Sequence, residues 1–270
     1  GFSGAGKSHF ALSFLRNVAK GHKAEEVLMT IIDCDFEGQR ELIMRDDIVP
    51  PGLRKRIYRK VCSTVEEVND YVVTFMELHK QHQEEHPDSK ARIMVFENEG
   101  AFYLMVRDKY SVDVHGQSEA DLLLSRQQQA IAQGKKTLPT YEEGQMHAYK
   151  VINRMFSDVF HRLKMGGEAY GFHFMSTVLL KKGYENYGQP TQRETITKAG
   201  RPDITDPLFD WIVEFDQRQK GRGKELETKH IATVRKSRTC KPFRIENPTQ
   251  KEFWDAVEVQ RKGNGKVKGK

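Results

Sequence analysis

Gly1-Phe2-Ser3-Gly4-Ala5-Gly6-Lys7-Ser8 opens the chain with the spacing G-x-x-x-x-G-K-[ST]. The glycines let the backbone curl so that successive N–H groups converge on one point, with no Cβ in the way. Lys7 supplies a point charge suited to β- and γ-phosphates, and the Ser8 hydroxyl suits Mg²⁺. Ala11, Phe14, Leu15 and Val18 follow at helical spacing, so a helix begins at the loop and turns its positive end toward the anion. The cradle is Gly1, Ser3, Gly4, Ala5, Gly6, Lys7 and Ser8. Such a loop is fed by a buried central strand, and the reading expects that strand to be missing before Gly1.

Outward from the loop, Val27–Asp33 is an apolar run ending in acid, the pattern of a buried parallel strand. Residues 56–61 read as a short, partly exposed strand. Val65, Val68, Val72, Phe75 and Met76 form a helical stripe that Pro87 closes, and Ala91–Glu97 is a second buried strand ending in acid. Residues 111–140, rich in Ser, Gln, Gly and Lys, read as an insertion or mobile arm with one short helix around Leu122, Leu123 and Leu124. A long helix through Val151–Leu163 is expected to end at Gly166-Gly167, followed by a strand from Tyr170 to Val178. A polar stretch reaches Pro207, two strands cover 209–215 and 229–234, and Phe243–Val257 adds a short strand and an amphipathic helix. Strands alternating with helices predict an α/β fold with a mostly parallel sheet covered on both faces. One domain over 1–258 and a basic flexible tail over 259–270 are expected.

Of the 270 residues, 37% are hydrophobic and 30% charged, enough apolar surface for a core within a soluble chain. No apolar run approaches the ~20 residues needed to cross a membrane. Cys34, Cys62 and Cys240 are widely spaced without a C-x-x-C pair, which favours a reducing, cytoplasmic setting and argues against zinc. The net charge is +6, and five of those charges lie in residues 261–270, so the body is nearly neutral. Global charge therefore does not by itself indicate nucleic acid.

Nucleotide hydrolysis requires an acid for the metal shell, a group that orients water, and a cation that offsets developing charge. Glu97, where an Asp is more usual, is the candidate for the metal's water shell, and Ser8 for the metal itself. Asp33-Cys34-Asp35-Phe36-Glu37 clusters three carboxylates, from which Asp35 and Glu37 are the water-orienting candidates. Arg235, Lys236 and Arg238 end a late strand, and alternation puts Lys236 and Arg238 on one side. They suit a neighbouring subunit's γ-phosphate or DNA phosphates, and an ordinary solvated strand end stays open as the alternative. Ser176-Thr177 suits γ-phosphate sensing, or merely marks where a strand surfaces. His161 and His173 lie in apolar patterns and read as core residues.

In order and spacing these elements resemble RecA-like P-loop ATPases, of the compact kind found in phages and archaea and grouped with AAA-family nucleotide-binding proteins. The resemblance spans most of residues 1–250. It implies binding of ATP and Mg²⁺, hydrolysis, a homo-oligomer and work on single-stranded DNA in recombination, replication or packaging, in a host cytoplasm if viral. It assigns Asp35 the catalytic carboxylate role, with Glu37 as substitute, and gives Lys236 and Arg238 a role across a subunit boundary. Two other functions stay open: a small-molecule or nucleotide kinase with Arg193 and Arg201 in a lid, and a nucleotide-gated binding protein that does not hydrolyse.

Overall fold

The computed structural model describes residues 6–34, 39–134, 145–185, 193–198, 202–220, 227–246 and 250–264. In chain order the first elements are α1 (Lys7–Val18), β1 (Leu28–Asp33), α2 (Gln39–Met44), β2 (Ile57–Val61), α3 (Val65–Glu85) and β3 (Arg92–Glu97). Then come α4 (Glu99–His115), α5 (Glu119–Ala132), α6 (Gln145–Tyr170), β4 (His173–Ser176), β5 (Leu180–Glu185) and β6 (Arg193–Lys198). The chain continues with α7 (Pro202–Thr205), β7 (Trp211–Lys220), β8 (Glu227–Ser237), β9 (Phe243–Glu246) and α8 (Gln250–Asn264).

The fold is α/β, built on a parallel sheet in the order β2-β1-β3-β4. β1 and β3 are buried along their whole length, as strands with helices on both faces must be. Alternation divides their side chains between two cores. Ile32, Cys34, Met94 and Phe96 face α3, α4 and α6, where Val68, Val72, Phe102, Phe156 and Phe160 complete an aromatic-rich cluster. Met29, Ile31, Ile93 and Val95 face the other way, against Ala11, Leu12 and Leu15 of α1. Full burial of each such side chain is worth about 1.5–3 kcal/mol. A third cluster joins Ala232, Val234, Phe253 and Val257, with Phe10 of α1 packed against it.

The expected parallel sheet is present, with four strands. The late strands do not extend the parallel sheet: β7, β8 and β9 form a separate antiparallel sheet, and β5 pairs with β6 as an antiparallel hairpin. The sequence reading took that hairpin for loop, because neither strand carries an apolar alternation.

Residues 111–134 are also more ordered than a mobile arm. They belong to the end of α4 and to α5, whose N-cap Ser118 accepts the Asp121 N–H (3.1 Å). Within α5 only Ala130 is buried, while Leu123 and Leu124 stay exposed. The remainder of the expected insertion, 135–140, lies outside the described residues.

Gly166-Gly167 does not end α6, which runs on to Tyr170 and stops at Gly171 (φ +65°). The pair is there for packing. A Cβ at Gly166 would lie 3.2 Å from the Phe172 ring, and one at Gly167 3.0 Å from the Phe172 carbonyl oxygen. The expected strand from Tyr170 accordingly begins only at His173. α8 continues to Asn264, so a helix takes up the first residues of the expected tail. No helix among the described residues is long and apolar enough to cross a membrane.

Candidate functional site

Parallel strands deliver their C-terminal ends to one edge, and three chemically distinct groups meet there. Asp33 ends β1 and Glu97 ends β3 in direct register, while Ser176 ends β4 opposite Phe96. α1 brings its first turn to the same edge. Gly6 caps it with φ +93°, a left-handed conformation open to glycine at little cost. No described residue lies within 4 Å of where its Cβ would be, and the backbone angle by itself favours glycine there.

The contact that joins loop helix to sheet is Ser8 Oγ donating to Glu97 Oε1 at 2.6 Å. Glu97 is 3% exposed, and its second oxygen, Oε2, has no hydrogen-bond partner among the described residues. Burial, with a smaller push from the Asp33 charge, raises the Glu97 carboxyl above its ordinary pKa, while the Ser8 and Thr177 hydroxyls and the Lys7 charge pull the other way. An acceptor held dry and half-satisfied is a natural ligand for a cation or for a water bound to one.

Asp33 is treated differently. It is fully buried, and Arg59 of β2 neutralises it through Nε (2.8 Å) and Nη2 (2.5 Å). Two carboxylates on adjacent strands thus differ in role: one is compensated by a fixed guanidinium and the other is left open. The sequence reading missed Arg59, for which the only signal was a cation on the neighbouring strand. Arg59 also lines a cleft of about 610 Å³ between β2 and α3, floored by Ile57, Tyr71, Phe75 and Leu78.

Behind Glu97 the backbone is braced. Asn98 has φ 67°, the one positive φ outside glycine among the described residues. Its side chain caps α4 by accepting the Ala101 N–H (3.1 Å), which offsets some of the cost of that conformation. The Asn98 N–H is donated to Thr177 Oγ1 (3.0 Å), and the Ser176 hydroxyl donates to the Phe96 carbonyl (3.3 Å). Ser176 and Thr177 therefore tie β4 to the Glu97 turn, which is how they are engaged here.

The remaining expected site residues fall elsewhere. Gly1, Ser3, Gly4 and Ala5 of the loop, and Asp35 and Glu37, lie outside the described residues. Lys7 opens α1 beside Ser8. Lys236 pairs with Ile212 where a register shift interrupts the β7–β8 ladder, so simple alternation does not hold across 235–236. Arg238 lies just past β8 with its Nε 3.1 Å from Asp210 Oδ1, and Arg235 pairs with Glu214 (2.7 Å). Both arginines are largely exposed, and such surface pairs are worth about 0–1 kcal/mol, weak enough to exchange for another anion.

The histidine reading is corrected as well. His161 is exposed and contacts the Ser157 carbonyl, and His173 keeps an exposed surface with its ring edge-on to Phe14. Among the described residues the buried histidines are His79 and His82, on the apolar stripe of α3. All three cysteines are buried and outside any disulfide, and burial pushes the Cys62 thiol up to about 12, the behaviour of an inert core thiol.

Compared with known proteins, the chain matches no family model and no curated sequence.

Proposed function

We propose that this chain binds a nucleoside triphosphate, taken to be ATP, together with Mg²⁺, and hydrolyses it as a RecA-like ATPase. The observation that carries the reading is the 2.6 Å bond between Ser8, the hydroxyl of the loop motif, and Glu97, the acid at the end of the neighbouring strand. Sequence puts these residues 89 positions apart. The fold brings these two side chains together, and among the described residues Glu97 Oε2 has no hydrogen-bond partner, which supports the reading.

The donor set fits magnesium. This ion takes oxygen ligands, keeps several waters, and is bound through one or two carboxylates plus phosphates, not through a full protein cage. Ser8 and Glu97 would hold it, and when bound it would offset charge on the β- and γ-phosphates. The other roles belong to the chain. Lys7 and the N-terminal N–H groups of α1 hold the phosphates by charge and dipole. Arg59 pairs with Asp33 and so reduces the negative charge that the adjacent carboxylate adds to the site. Asp35 or Glu37 would orient the attacking water, and Lys236 and Arg238 would act on a neighbouring copy's nucleotide.

The test is steady-state ATP hydrolysis and fluorescent-nucleotide binding, with and without single-stranded DNA, using Lys7→Ala as control. Loss of the Lys7 charge is expected to weaken binding about 10- to 100-fold, the equivalent of a charge-assisted hydrogen bond. Undiminished binding and turnover in that variant would sink the reading. DNA-stimulated turnover would support DNA work as part of the function.

A further inference from the structure

After Thr177 the chain leaves the parallel sheet; the paired strands β5 and β6 follow, and then α7, which ends at Thr205. Both ends of this excursion are tied to two consecutive residues. Thr177 accepts the Asn98 N–H on its hydroxyl (3.0 Å) and the Glu99 N–H on its carbonyl (2.9 Å). Thr205 Oγ1 donates to Glu99 Oε2 at 2.9 Å. All four residues are buried, Thr205 to 1% and Glu99 to 4% exposure. The residue before Asn98 is Glu97, the open carboxylate of the candidate site.

A hydroxyl bonded to a carboxylate away from water is among the stronger hydrogen bonds a fold can make, and leaving either partner alone there is costly. Main-chain pairing accounts for the Thr177 end, which simply continues β4. It does not account for the Thr205 end. There a short helix of four residues, α7, arrives from 106 positions along the chain and is met by a buried acid on the first turn of α4.

We propose that the Glu99–Thr205 bond is a latch that fastens the β5–β6 arm to the Glu97 turn, so that occupancy of the Ser8–Glu97 site sets the stability of the arm. Glu97, Asn98 and Glu99 are consecutive, and Asn98 is held on both sides, its side chain accepting the Ala101 N–H and its own N–H donated to Thr177 Oγ1. Any shift of the turn therefore moves both ends of the arm at once. With the latch open, the side-chain bond that joins Thr205 to the turn is lost. The part of this inference that concerns occupancy rests on the nucleotide reading above; the latch itself does not.

Hydrogen–deuterium exchange on the full chain separates the two. Thr205→Val keeps the shape and removes the hydroxyl, Thr205→Ser restores the hydroxyl, and Glu99→Gln keeps an acceptor without its charge. In the absence of nucleotide, Thr205→Val should raise exchange across residues 180–198 about tenfold or more, because local opening then lacks one charge-assisted bond. Thr205→Ser should stay near the parent and Glu99→Gln should fall between, with β1 and β3 peptides unchanged in each. Magnesium with a non-hydrolysable ATP analogue should then slow exchange of the arm in the parent and in Thr205→Ser, and not in Thr205→Val. An arm unaffected by Thr205→Val, or exchange raised equally across β1 and β3, would overturn the latch. Nucleotide binding is read separately with a fluorescent analogue. Failure of the parent to bind would remove the nucleotide reading and the occupancy link, while the nucleotide-free comparison would still decide the latch.

Discussion

Acid should destabilise this protein through His79, and the effect can be isolated. The ring is fully buried on α3, with Nε2 2.9 Å from Thr30 Oγ1 of β1 and its face 4.6 Å from the Phe172 ring. Nδ1 has no partner among the described residues. Burial, with smaller contributions from the nearby His82 and Arg92 charges, lowers its pKa from the ordinary 6.5 to about 3. Above pH 6.5 the ring is neutral in both folded and unfolded chains, and its contribution to stability is fully present. As pH falls below 6.5 the unfolded chain takes up a proton that the folded one refuses, so stability drops until the folded pKa is reached. The slope is one proton, about 1.4 kcal/mol per pH unit, which gives about 2 kcal/mol between pH 7 and pH 5. Urea unfolding of the parent and of His79→Gln at both pH values measures this directly. Gln can still meet the Thr30 hydroxyl but does not titrate, and every other titrating group, His82 included, cancels in the difference. The parent should lose about 2 kcal/mol more than the variant over that interval. Equal losses would show that His79 is reachable by protons in the folded state, and the argument from its burial would fail.

Gly167→Ala should lower Tm although alanine is the better helix former, because its Cβ meets the Phe172 carbonyl; a cost of about 1–3 kcal/mol is expected, checked by thermal melts. Arg59→Met should cost about 3–5 kcal/mol by leaving the buried Asp33 charge without its guanidinium, and the added change Asp33→Asn should restore much of that in urea unfolding. Glu97→Gln should abolish magnesium-dependent turnover while leaving the fold as stable or about 1 kcal/mol more so, since it removes a half-satisfied buried charge; a large drop in Tm would make Glu97 a structural residue instead.

The parallel half of the fold was legible because burial on both faces leaves a plain trace. β1 and β3 are short apolar runs stopped by acid, and α3 shows its stripe at Val65, Val68, Val72 and Phe75. α4 left no such trace. It buries Glu99, Gly100 and Ser111 along with Phe102 and Val106, so its inner face is not marked by hydrophobicity. The β5–β6 hairpin was hidden because Arg193-Glu194-Thr195-Ile196-Thr197-Lys198 reads as loop without its partner. Gly166-Gly167 misled because a glycine pair signals a helix end unless a ring from the next strand needs the space. In the site, Ser8 and Glu97 could each be read from its own motif. Arg59, Thr205 and the bracing role of Thr177 depend on contacts between distant segments, which no local pattern records.

Phe10, two residues beyond Ser8, lies 5.0 Å from the Phe215 ring and 5.1 Å from the Phe253 ring. The helix that would grip a phosphate is thus wedged between the parallel sheet and elements made much later. On a ribosome adding about 5–20 residues per second, the partner of Phe10 emerges on the order of 10–50 s after Phe10 itself. The motif is synthesised well before the rings that seat it. Throughout that interval the aromatic face of α1 has no cover of its own, so this segment is where a chaperone would have most to hold.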